Sequence, residues 1–303
     1  MSAAAYRRWF AYGQVALSLA FVGVSVPLAK MMMAELPIML ACGVRFVAAV
    51  AVSLPLLLWS GASLTAITRR DHYLLFAQAL PGVFLFPILL FEGLKTADAS
   101  AAGVVTGTLP AAIAVVATLL LRERPVMRVW AGVALAVLGM VVLNTRAAAP
   151  SGQAQTFGLA LVFAAVIAEA VYSVLARALG DRVSPFAIAA WLSLFGLIAF
   201  APFALYQAAT MDLASVSLTT WAIAVYLGVF PSVASFLFYY SAIRHIEAAR
   251  AGVFTSLLPL TAMATSVIIL NEHLGPPELI GAALTLVAIA LTATAAPAKE
   301  TPP

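Results

Sequence analysis

Charged residues are scarce in this sequence. Of its 303 residues, 9% are Asp, Glu, Lys or Arg, whereas 64% are hydrophobic. Soluble domains carry about 25% charged residues, so this composition excludes a water-soluble globule of the same size. A disordered chain is excluded as well, because disorder requires low hydrophobicity and high charge. What remains is a multi-pass membrane protein.

Cysteine and the common motifs of enzymes and ATPases are also missing. The single cysteine, Cys42, excludes an internal disulfide and a cysteine-based metal site, and we predict neither a metal nor a cofactor. The sequence has no Walker motif, no His-Glu-x-x-His, no Gly-x-Ser-x-Gly and no pair of mid-membrane aspartates. Its net charge of +4 is spread along the chain, so no nucleic-acid partner is expected. An intramembrane enzyme and an ATP-driven pump are therefore disfavoured.

Long apolar runs are what the sequence does contain. A helix needs about 20 mostly apolar residues to cross the hydrocarbon core, and a window of that length predicts an all-α membrane protein with ten transmembrane helices. Turn residues and charges separate the runs. The predicted limits are 11–30, 36–58, 73–94, 98–121, 126–145, 156–178, 184–206, 218–242, 247–270 and 276–296.

The cations are distributed unevenly between the two sides of these spans. With the N-terminus inside, the cytoplasmic segments carry 12 of the 16 Lys and Arg residues. The opposite side carries Lys30, Lys95 and Arg146, and Arg45 lies within a span. Because Lys and Arg favour the cytoplasmic side, we expect a protein of the cell's cytoplasmic (inner) membrane with both termini in the cytoplasm.

The two halves of the chain match each other at an offset of 149 residues, without a gap from Leu94 to Leu143. Each half holds five spans, an odd number, so the second half is inverted in the membrane relative to the first. Inverted repeats are typical of secondary transporters that work by alternating access. Matched pairs include Asp98 with Glu247, Gly103 with Gly252, Thr106 with Thr255, Pro110 with Pro259 and Glu123 with Glu272.

These matches define the predicted organisation of the chain. We expect a first five-helix repeat over residues 1–146, a linker over 147–155, a second, inverted repeat over 156–296 and a cytoplasmic tail over 297–303. The glycine-containing run from Gly132 to Gly139 permits close helix packing. It joins either helix five to helix ten or one copy of the protein to a second in a homodimer, and the sequence leaves both open.

Four helix features form a recognisable set. They are Pro110 and Pro259 in helices four and nine, which end at Glu123 and Glu272; Gly132 and Gly281 in helices five and ten; Val22-Gly23 and Lys30 in helix one; and Pro37 with Arg45-Phe46 in helix two. With this set the sequence resembles, over roughly residues 10–296, the ten-helix EamA-type exporters of the drug/metabolite transporter superfamily. One departure is Glu169, which stands where the family usually has Trp-Ala before the tyrosine of helix six.

Helices four and nine each contain a proline, Pro110 and Pro259, at matching positions of the two halves. A proline inside a helix frees the carbonyl four residues earlier, here that of Thr106 or Thr255. In hydrocarbon a freed carbonyl must be satisfied or line a cavity. We expect a polar cavity lining together with a hinge, and the alternative is a structural kink whose Thr hydroxyl bonds its own helix. The residues concerned are Thr106, Thr108, Thr255 and Ser256 for the lining, and Pro110, Pro259, Gly103 and Gly252 for the hinge.

Glu169 and Arg45 are the charges that lie well inside spans. A carboxylate there costs about 2.5–3.5 kcal/mol on insertion scales, and such residues usually face a cavity. Glu169 is therefore a candidate for binding a substrate ammonium or for coupling proton flow to export. The alternative for both residues is a structural ion pair, in which Arg45 is the partner of Glu169 or of a helix end.

Two further groups of residues complete the candidate site. Glu123 and Glu272 sit just beyond helix ends, where they could cap the next helix; Glu123 is alternatively a latch of a cytoplasmic gate. Helix eight is rich in aromatic residues, among them Tyr239. If helices three, four, eight and nine line the cavity, as the resemblance implies, these rings could stack on an apolar substrate.

The leading interpretation is a secondary exporter of small molecules, and the resemblance implies amino acids, aromatic ones included. Sugar phosphates fit less well, because the spans hold no cluster of Lys and Arg beyond Arg45. The closest alternative is a proton-coupled exporter of cationic drugs or quaternary ammonium compounds that uses Glu169. A receptor or scaffold is less consistent, since neither needs inverted repeats with matched kinks.

Overall fold

A computed structural model of the protein describes residues 3–62, 67–97, 105–143, 153–179, 182–270 and 275–294. These residues form helices in all ten predicted spans, and no strand occurs among them. The helices are α1 (Ala3–Met32), α2 (Ile38–Trp59), α3 (Arg69–Ala79, Leu80–Leu85 and Phe86–Leu94), α4 (Leu109–Leu120), α5 (Met127–Leu143), α6 (Gln153–Leu179), α7 (Pro185–Ala209), α8 (Leu218–Val229, Phe230–Ala234 and Ser235–Ile243), α9 (Ala248–Phe254 and Leu257–Leu270) and α10 (Pro276–Ala293).

Six of these helices, α1, α2, α3, α6, α7 and α8, are long and apolar enough to cross a membrane. Shorter apolar helices cover Leu109–Leu120 in α4, Met127–Gly139 in α5 and Leu279–Ala293 in α10. Several predicted features lie outside the described residues. They are Gly103, Glu272, the linker apart from residues 153–155 and the tail 297–303.

The two halves of the chain pack against each other through symmetric pairs of helices. Helix α2 packs along α7 and α5 along α10, and each of these pairs joins equivalent helices of the two halves. Helix α3 packs on α6 in the same way that α8 packs on α1, and α4 packs on α6 as α9 packs on α1. The helices of the two five-helix halves are therefore interleaved.

Glycines bring α5 and α10 into close contact within one chain. Gly132 lies against Thr292, and a Cβ atom added at Gly139 would lie 2.8 Å from the Thr285 hydroxyl and 2.9 Å from the Gly281 carbonyl. Such close approach is what small residues permit in membrane helices. Of the two alternatives for the Gly132–Gly139 face, the structure therefore has the contact with helix ten.

Helices α3 and α8 each contain a π-helical segment. The segments are Leu80–Leu85 and Phe230–Ala234, and each has a proline as its second residue, Pro81 and Pro231. At the 149-residue offset, residues 80–85 fall on 229–234, so the segments occupy equivalent positions. π-helical turns are rare and often mark functional sites.

Helices α4 and α9 are interrupted just before their matched prolines. A turn at Gly107–Thr108 precedes Pro110, and a turn at Thr255–Ser256 precedes Pro259. The sequence led us to expect continuous helices that bend at the prolines. Each proline instead lies near the start of a new helical segment, where its missing N–H has no helical partner to lose.

Candidate functional site

Polar side chains from four helices meet within the main apolar core. They are Arg45 of α2, Gln78 of α3, Glu169, Tyr172 and Ser173 of α6, and Ser232, Tyr239 and Tyr240 of α8. We call these eight residues the central cluster. Helix α6 brings Glu169, Tyr172 and Ser173 onto one face, because residues three and four apart on a helix are neighbours.

Gln78 begins a buried chain of hydrogen bonds. Its side chain is fully buried in the last turn of α3 before the π-helical segment. The Nε2 atom donates to the Tyr240 hydroxyl and, over 3.2 Å, to the main-chain carbonyl of Tyr172. The Tyr240 hydroxyl in turn donates to the Tyr172 hydroxyl over 3.3 Å. This chain connects α3, α8 and α6 across the two halves of the protein.

Arg45 is oriented by the π-helical segment of α8. Its Nε atom donates to the Ser232 hydroxyl over 2.6 Å, and its guanidinium carbon lies 5.3 Å from the centre of the Phe46 ring, a cation–π arrangement. Ser232 donates to the carbonyl of Leu227 over 2.9 Å. Leu227 lies four residues before Pro231, so the proline leaves this carbonyl free for Ser232.

The outer nitrogens of Arg45 are available for a ligand. Within the described part of the chain, no hydrogen bond or salt bridge joins the two Nη atoms to another residue. Neither Nη atom is a fully buried polar atom without a partner, so both keep some solvent exposure. A guanidinium held at Nε alone can still bind a carboxylate through these nitrogens.

Glu169 is half-buried on the inward face of α6. Its carboxylate has no hydrogen bond and no ion pair with any described residue, so the alternative of a structural ion pair with Arg45 is not formed. Its electrostatic neighbours are the hydroxyls of Tyr172 and Tyr239. A partnerless carboxylate among tyrosine rings is suited to an organic ammonium group.

Tyr172 interacts with both charges of the central cluster. Its hydroxyl interacts electrostatically with both Glu169 and Arg45. The Tyr172 ring packs against Gly82, in the π-helical segment of α3, where a side chain would collide with it. Tyr239 hydrogen-bonds to Ser173 and lies edge-to-face against Tyr240 at 5.7 Å. The cluster therefore offers a cationic end, an anionic end and aromatic walls.

Two of the four hydroxyls predicted to line the cavity, those of Thr108 and Thr255, donate to carbonyls three residues earlier in the chain. Thr108 donates to the carbonyl of Val105 over 2.7 Å, and Thr255 donates to that of Gly252 over 2.6 Å. The Thr255 carbonyl accepts from the N–H of Leu258 over 3.0 Å. Thr106 is half-buried, and the Ser256 hydroxyl is buried without a hydrogen-bond partner.

Gly252 and Pro110 are both buried. A Cβ atom added at Gly252 would lie 2.8 Å from Ile113 of α4, so this glycine permits the first segment of α9 to approach α4. Pro110 is buried at the start of α4. Gly252 therefore belongs to the contact between α4 and α9.

Glu123 caps a helix of the opposite half. Its carboxylate accepts hydrogen bonds from the N–H groups of Ala248 over 3.0 Å and Ala249 over 3.3 Å, at the start of α9. We expected a cap on α5, the next helix along the chain. Burial raises the pKa of Glu123, and the two N–H donors offset part of this effect.

A second carboxylate, Glu35, makes a similar contact on the other face of the protein. It accepts from the N–H of Ser217 over 2.7 Å and from its hydroxyl over 2.9 Å, just before α8. These hydrogen bonds lower the pKa of Glu35. The sequence alone does not indicate this contact, because a charged residue between two apolar runs is also typical of a turn.

Sequence reasoning also missed Gln78, Ser232 and the role of Tyr172. Gln78 gives a detectable signal, because it is a lone amide inside a predicted span and lies three residues before Pro81-Gly82. Ser232 follows Pro231 directly. The argument used for Pro110, applied to Pro231, identifies the free carbonyl of Leu227 to which Ser232 donates. Among the described residues, no group of three His, Cys, Asp or Glu side chains could hold a metal ion.

A family model matches the chain twice. The EamA-like transporter family covers residues 9–145 and again 156–294. A solved crystal structure has the same fold, with a TM-score of 0.78 over 91% of this chain and 94% of that chain, at 21% sequence identity. The predicted all-α membrane fold with two repeats is confirmed.

Curated relatives are named as transporters rather than enzymes. The chain is 35% identical to the uncharacterized transporter YetK of Bacillus subtilis over 93% of this chain and 86% of the relative. It is 27% identical to a probable terminal-alkyne amino-acid exporter of Streptantibioticus cattleyicolor, over 73% of each. The predicted resemblance is confirmed: the chain belongs to the EamA-like transporter family of the drug/metabolite transporter superfamily and is a multi-pass membrane transporter.

Proposed function

We propose that this transporter is a secondary exporter of amino acids, aromatic and other hydrophobic ones included, that works by alternating access. The observation that carries the proposal is the pair of available charges in the central cluster. Arg45 presents free outer nitrogens and Glu169 a free carboxylate, and both interact with Tyr172. An α-amino acid carries a carboxylate and an ammonium group that match these two ends.

The walls of the cluster support an apolar side chain on the substrate. Phe46, Tyr239 and Tyr240 belong to the core cluster around the site, and aromatic rings of this kind stack well on apolar groups. The relative from Streptantibioticus cattleyicolor, named as a probable amino-acid exporter, also supports amino acids as the substrate class. The uneven distribution of cations supports a place in the cytoplasmic membrane with both termini inside.

Counterflow in liposomes containing the purified protein tests the proposal. Vesicles loaded with unlabelled phenylalanine should accumulate external labelled phenylalanine, whereas vesicles loaded with a sugar phosphate should not. Protein-free vesicles give the background. If only quaternary ammonium compounds exchange, the amino-acid assignment is wrong.

Glu169→Gln tests the anionic end. An unpaired buried charge costs about 2–5 kcal/mol, so we expect the KM for phenylalanine to rise at least about 30-fold. The matched control is Glu92→Gln, which neutralises an exposed carboxylate paired with Lys95 at the end of α3. Equal KM values for the Glu169→Gln variant and the wild type would remove Glu169 from the site.

A second candidate function is proton-coupled export of organic cations. Glu169 supports it, because its carboxylate has no ion pair in the described structure and lies beside Tyr172 and Tyr239. In that case an imposed pH gradient drives uptake of a quaternary ammonium compound, and Glu169→Gln abolishes the effect of the gradient. An amino-acid uniporter gives counterflow that is independent of the gradient.

A further inference from the structure

The hydrogen-bond chain that begins at Gln78 has a direction. The main-chain carbonyl of Tyr172 can only accept a hydrogen bond, so the amide nitrogen of Gln78, and not its oxygen, faces that carbonyl. The same nitrogen donates to the Tyr240 hydroxyl. The orientation of the Gln78 amide is therefore fixed by its two neighbours.

The hydrogen bond between the two tyrosines continues in the same direction, from Tyr240 to Tyr172. Because the Tyr240 oxygen accepts from Gln78, its own hydrogen is free to donate to the Tyr172 oxygen, 3.3 Å away. A tyrosine hydroxyl has a single hydrogen, and that of Tyr172 is not needed by the chain. No further hydrogen bond from Tyr172 occurs among the described residues.

The free hydrogen of Tyr172 lies in a suitable place for an acceptor. The Tyr172 hydroxyl interacts electrostatically with both Arg45 and Glu169, and Glu169 takes no hydrogen bond from it. A carboxylate bound to the outer nitrogens of Arg45 would meet this hydroxyl. Hydrogen bonds to ionised acceptors are about twice as strong as neutral ones.

We propose that the Tyr172 hydroxyl donates a hydrogen bond to the carboxylate of the amino-acid substrate, and that Gln78 is the positioning residue that keeps Tyr172 a donor. The inference rests on the proposed function. Arg45 and Tyr172 then form the carboxylate site, while Glu169 receives the ammonium group. Arg45 and Tyr172 together then select amino acids over simple amines, because an amine has no carboxylate for them to bind.

Tyr172→Phe tests the donor directly. The lost hydrogen bond to a charged group predicts a KM for phenylalanine that is about tenfold higher or more. Phenylethylamine lacks the carboxylate, so its inhibition constant against phenylalanine counterflow should not change. Tyr206→Phe on the exposed surface of α7 is the matched control and should keep wild-type values.

Gln78→Met tests the positioning role, since Met has a similar length but no donor. We expect a KM increase smaller than that of Tyr172→Phe, and a double variant no worse than Tyr172→Phe alone, because Gln78 acts through that hydroxyl. Monodisperse elution and a wild-type helical circular dichroism spectrum show that each variant is folded. Additive effects in the double variant would overturn the positioning role.

The outcomes separate this inference from the proposed function. Wild-type protein that exchanges no amino acid overturns both. Wild-type protein that exchanges phenylalanine, with an unchanged KM in Tyr172→Phe, overturns the inference alone. An equal loss of phenylalanine and phenylethylamine binding, or a changed pH profile with an unchanged KM, also overturns it, since the hydroxyl would then serve the cavity or Glu169 rather than the carboxylate.

Discussion

Arg45 is held at its Nε atom, which leaves the two outer nitrogens of the guanidinium for a ligand. Ser232 makes this bond from a π-helical turn, and the Phe46 ring supports the guanidinium from one side. Lysine has the same charge but no Nε donor and no planar fork. The orientation of the cation, and not only its charge, should therefore matter for substrate binding.

We predict that Arg45→Lys raises the KM for phenylalanine in counterflow by about tenfold or more, because a bidentate contact to the carboxylate becomes a single one. Ser232→Ala should raise the KM less, since the charge stays and only its orientation is lost. The matched control is Ser235→Ala, also a buried serine of α8, whose hydroxyl lies 2.8 Å from that of Ser18. A wild-type KM for Arg45→Lys would leave Arg45 with a structural role alone.

Charge within an apolar span is a strong sequence signal, and this is why Arg45 and Glu169 could be identified from the sequence. The contacts that organise them could not. Gln78 and Tyr240 lie 162 residues apart, and Arg45 and Ser232 lie 187 residues apart. An uncharged polar residue in a span is compatible with many surroundings, so its partners become known only when the helices are packed.

At the scale of the helix, the sequence predicts well where each helix lies and less well where a helix is interrupted. Each predicted span contains a helix, because apolar run length is set by the membrane. The prolines of α4 and α9 lie close to the interruptions of these helices, but the turns at Gly107–Thr108 and Thr255–Ser256 precede them. A proline signals only a lost N–H, and neighbouring packing decides whether the helix bends or breaks.

The contact between α5 and α10 is open to a direct test, because it depends on glycine. In Gly139→Ala the new methyl group would lie 2.8–2.9 Å from the Thr285 hydroxyl and the Gly281 carbonyl. We predict a loss of about 1–3 kcal/mol in the free energy of unfolding, typical of overpacking. Thermal unfolding in detergent, followed by tryptophan fluorescence, measures the change.

The matched control for this contact is Gly13→Ala in α1. A Cβ atom at Gly13 meets no atom within 4 Å, and alanine in a helix is favoured over glycine by about 0.5–1 kcal/mol. The two substitutions therefore have opposite expected signs. If Gly139→Ala were as stable as the wild type, α5 and α10 would be less closely packed than the structure has them.

At the scale of the whole molecule, two carboxylates join the halves at opposite faces. Glu35, between α1 and α2, binds Ser217 before α8. Glu123, between α4 and α5, binds the first N–H groups of α9. Because the helices alternate in direction, these connections lie on opposite faces of the membrane. Alternating access requires one such contact to open while the other stays closed.

The two contacts should respond to pH with opposite signs. Burial and Glu247 raise the pKa of Glu123, against the effect of its N–H partners and Arg177. Its contact is therefore most stable below the ordinary pKa of Glu and weakens as pH rises through the raised value. Hydrogen bonds from Ser217 lower the pKa of Glu35. That contact is stable above the ordinary pKa and weakens as pH falls through the lowered value.

We predict that the face closed by Glu123 opens as pH rises. Spin labels attached to Arg124→Cys and His245→Cys, in a Cys42→Ala background and in lipid nanodiscs, report the distance across this contact. Pulsed electron–electron double resonance should show a larger population of long distances between the labels in alkaline than in acidic buffer. Because the labels are attached beforehand, the reactivity of the thiols with pH does not affect the result.

The same measurement on the other face has the opposite expected sign and provides the internal control. Labels at Ala34→Cys and Leu218→Cys, beside Glu35 and Ser217, should move apart as the buffer is acidified toward the lowered pKa of Glu35. Glu123→Gln should remove the opening of its own face in alkaline buffer, and Glu35→Gln should remove the opening of the opposite face in acidic buffer. An identical pH response in Glu123→Gln and in the wild type would contradict the role of Glu123, since glutamine cannot titrate in this range.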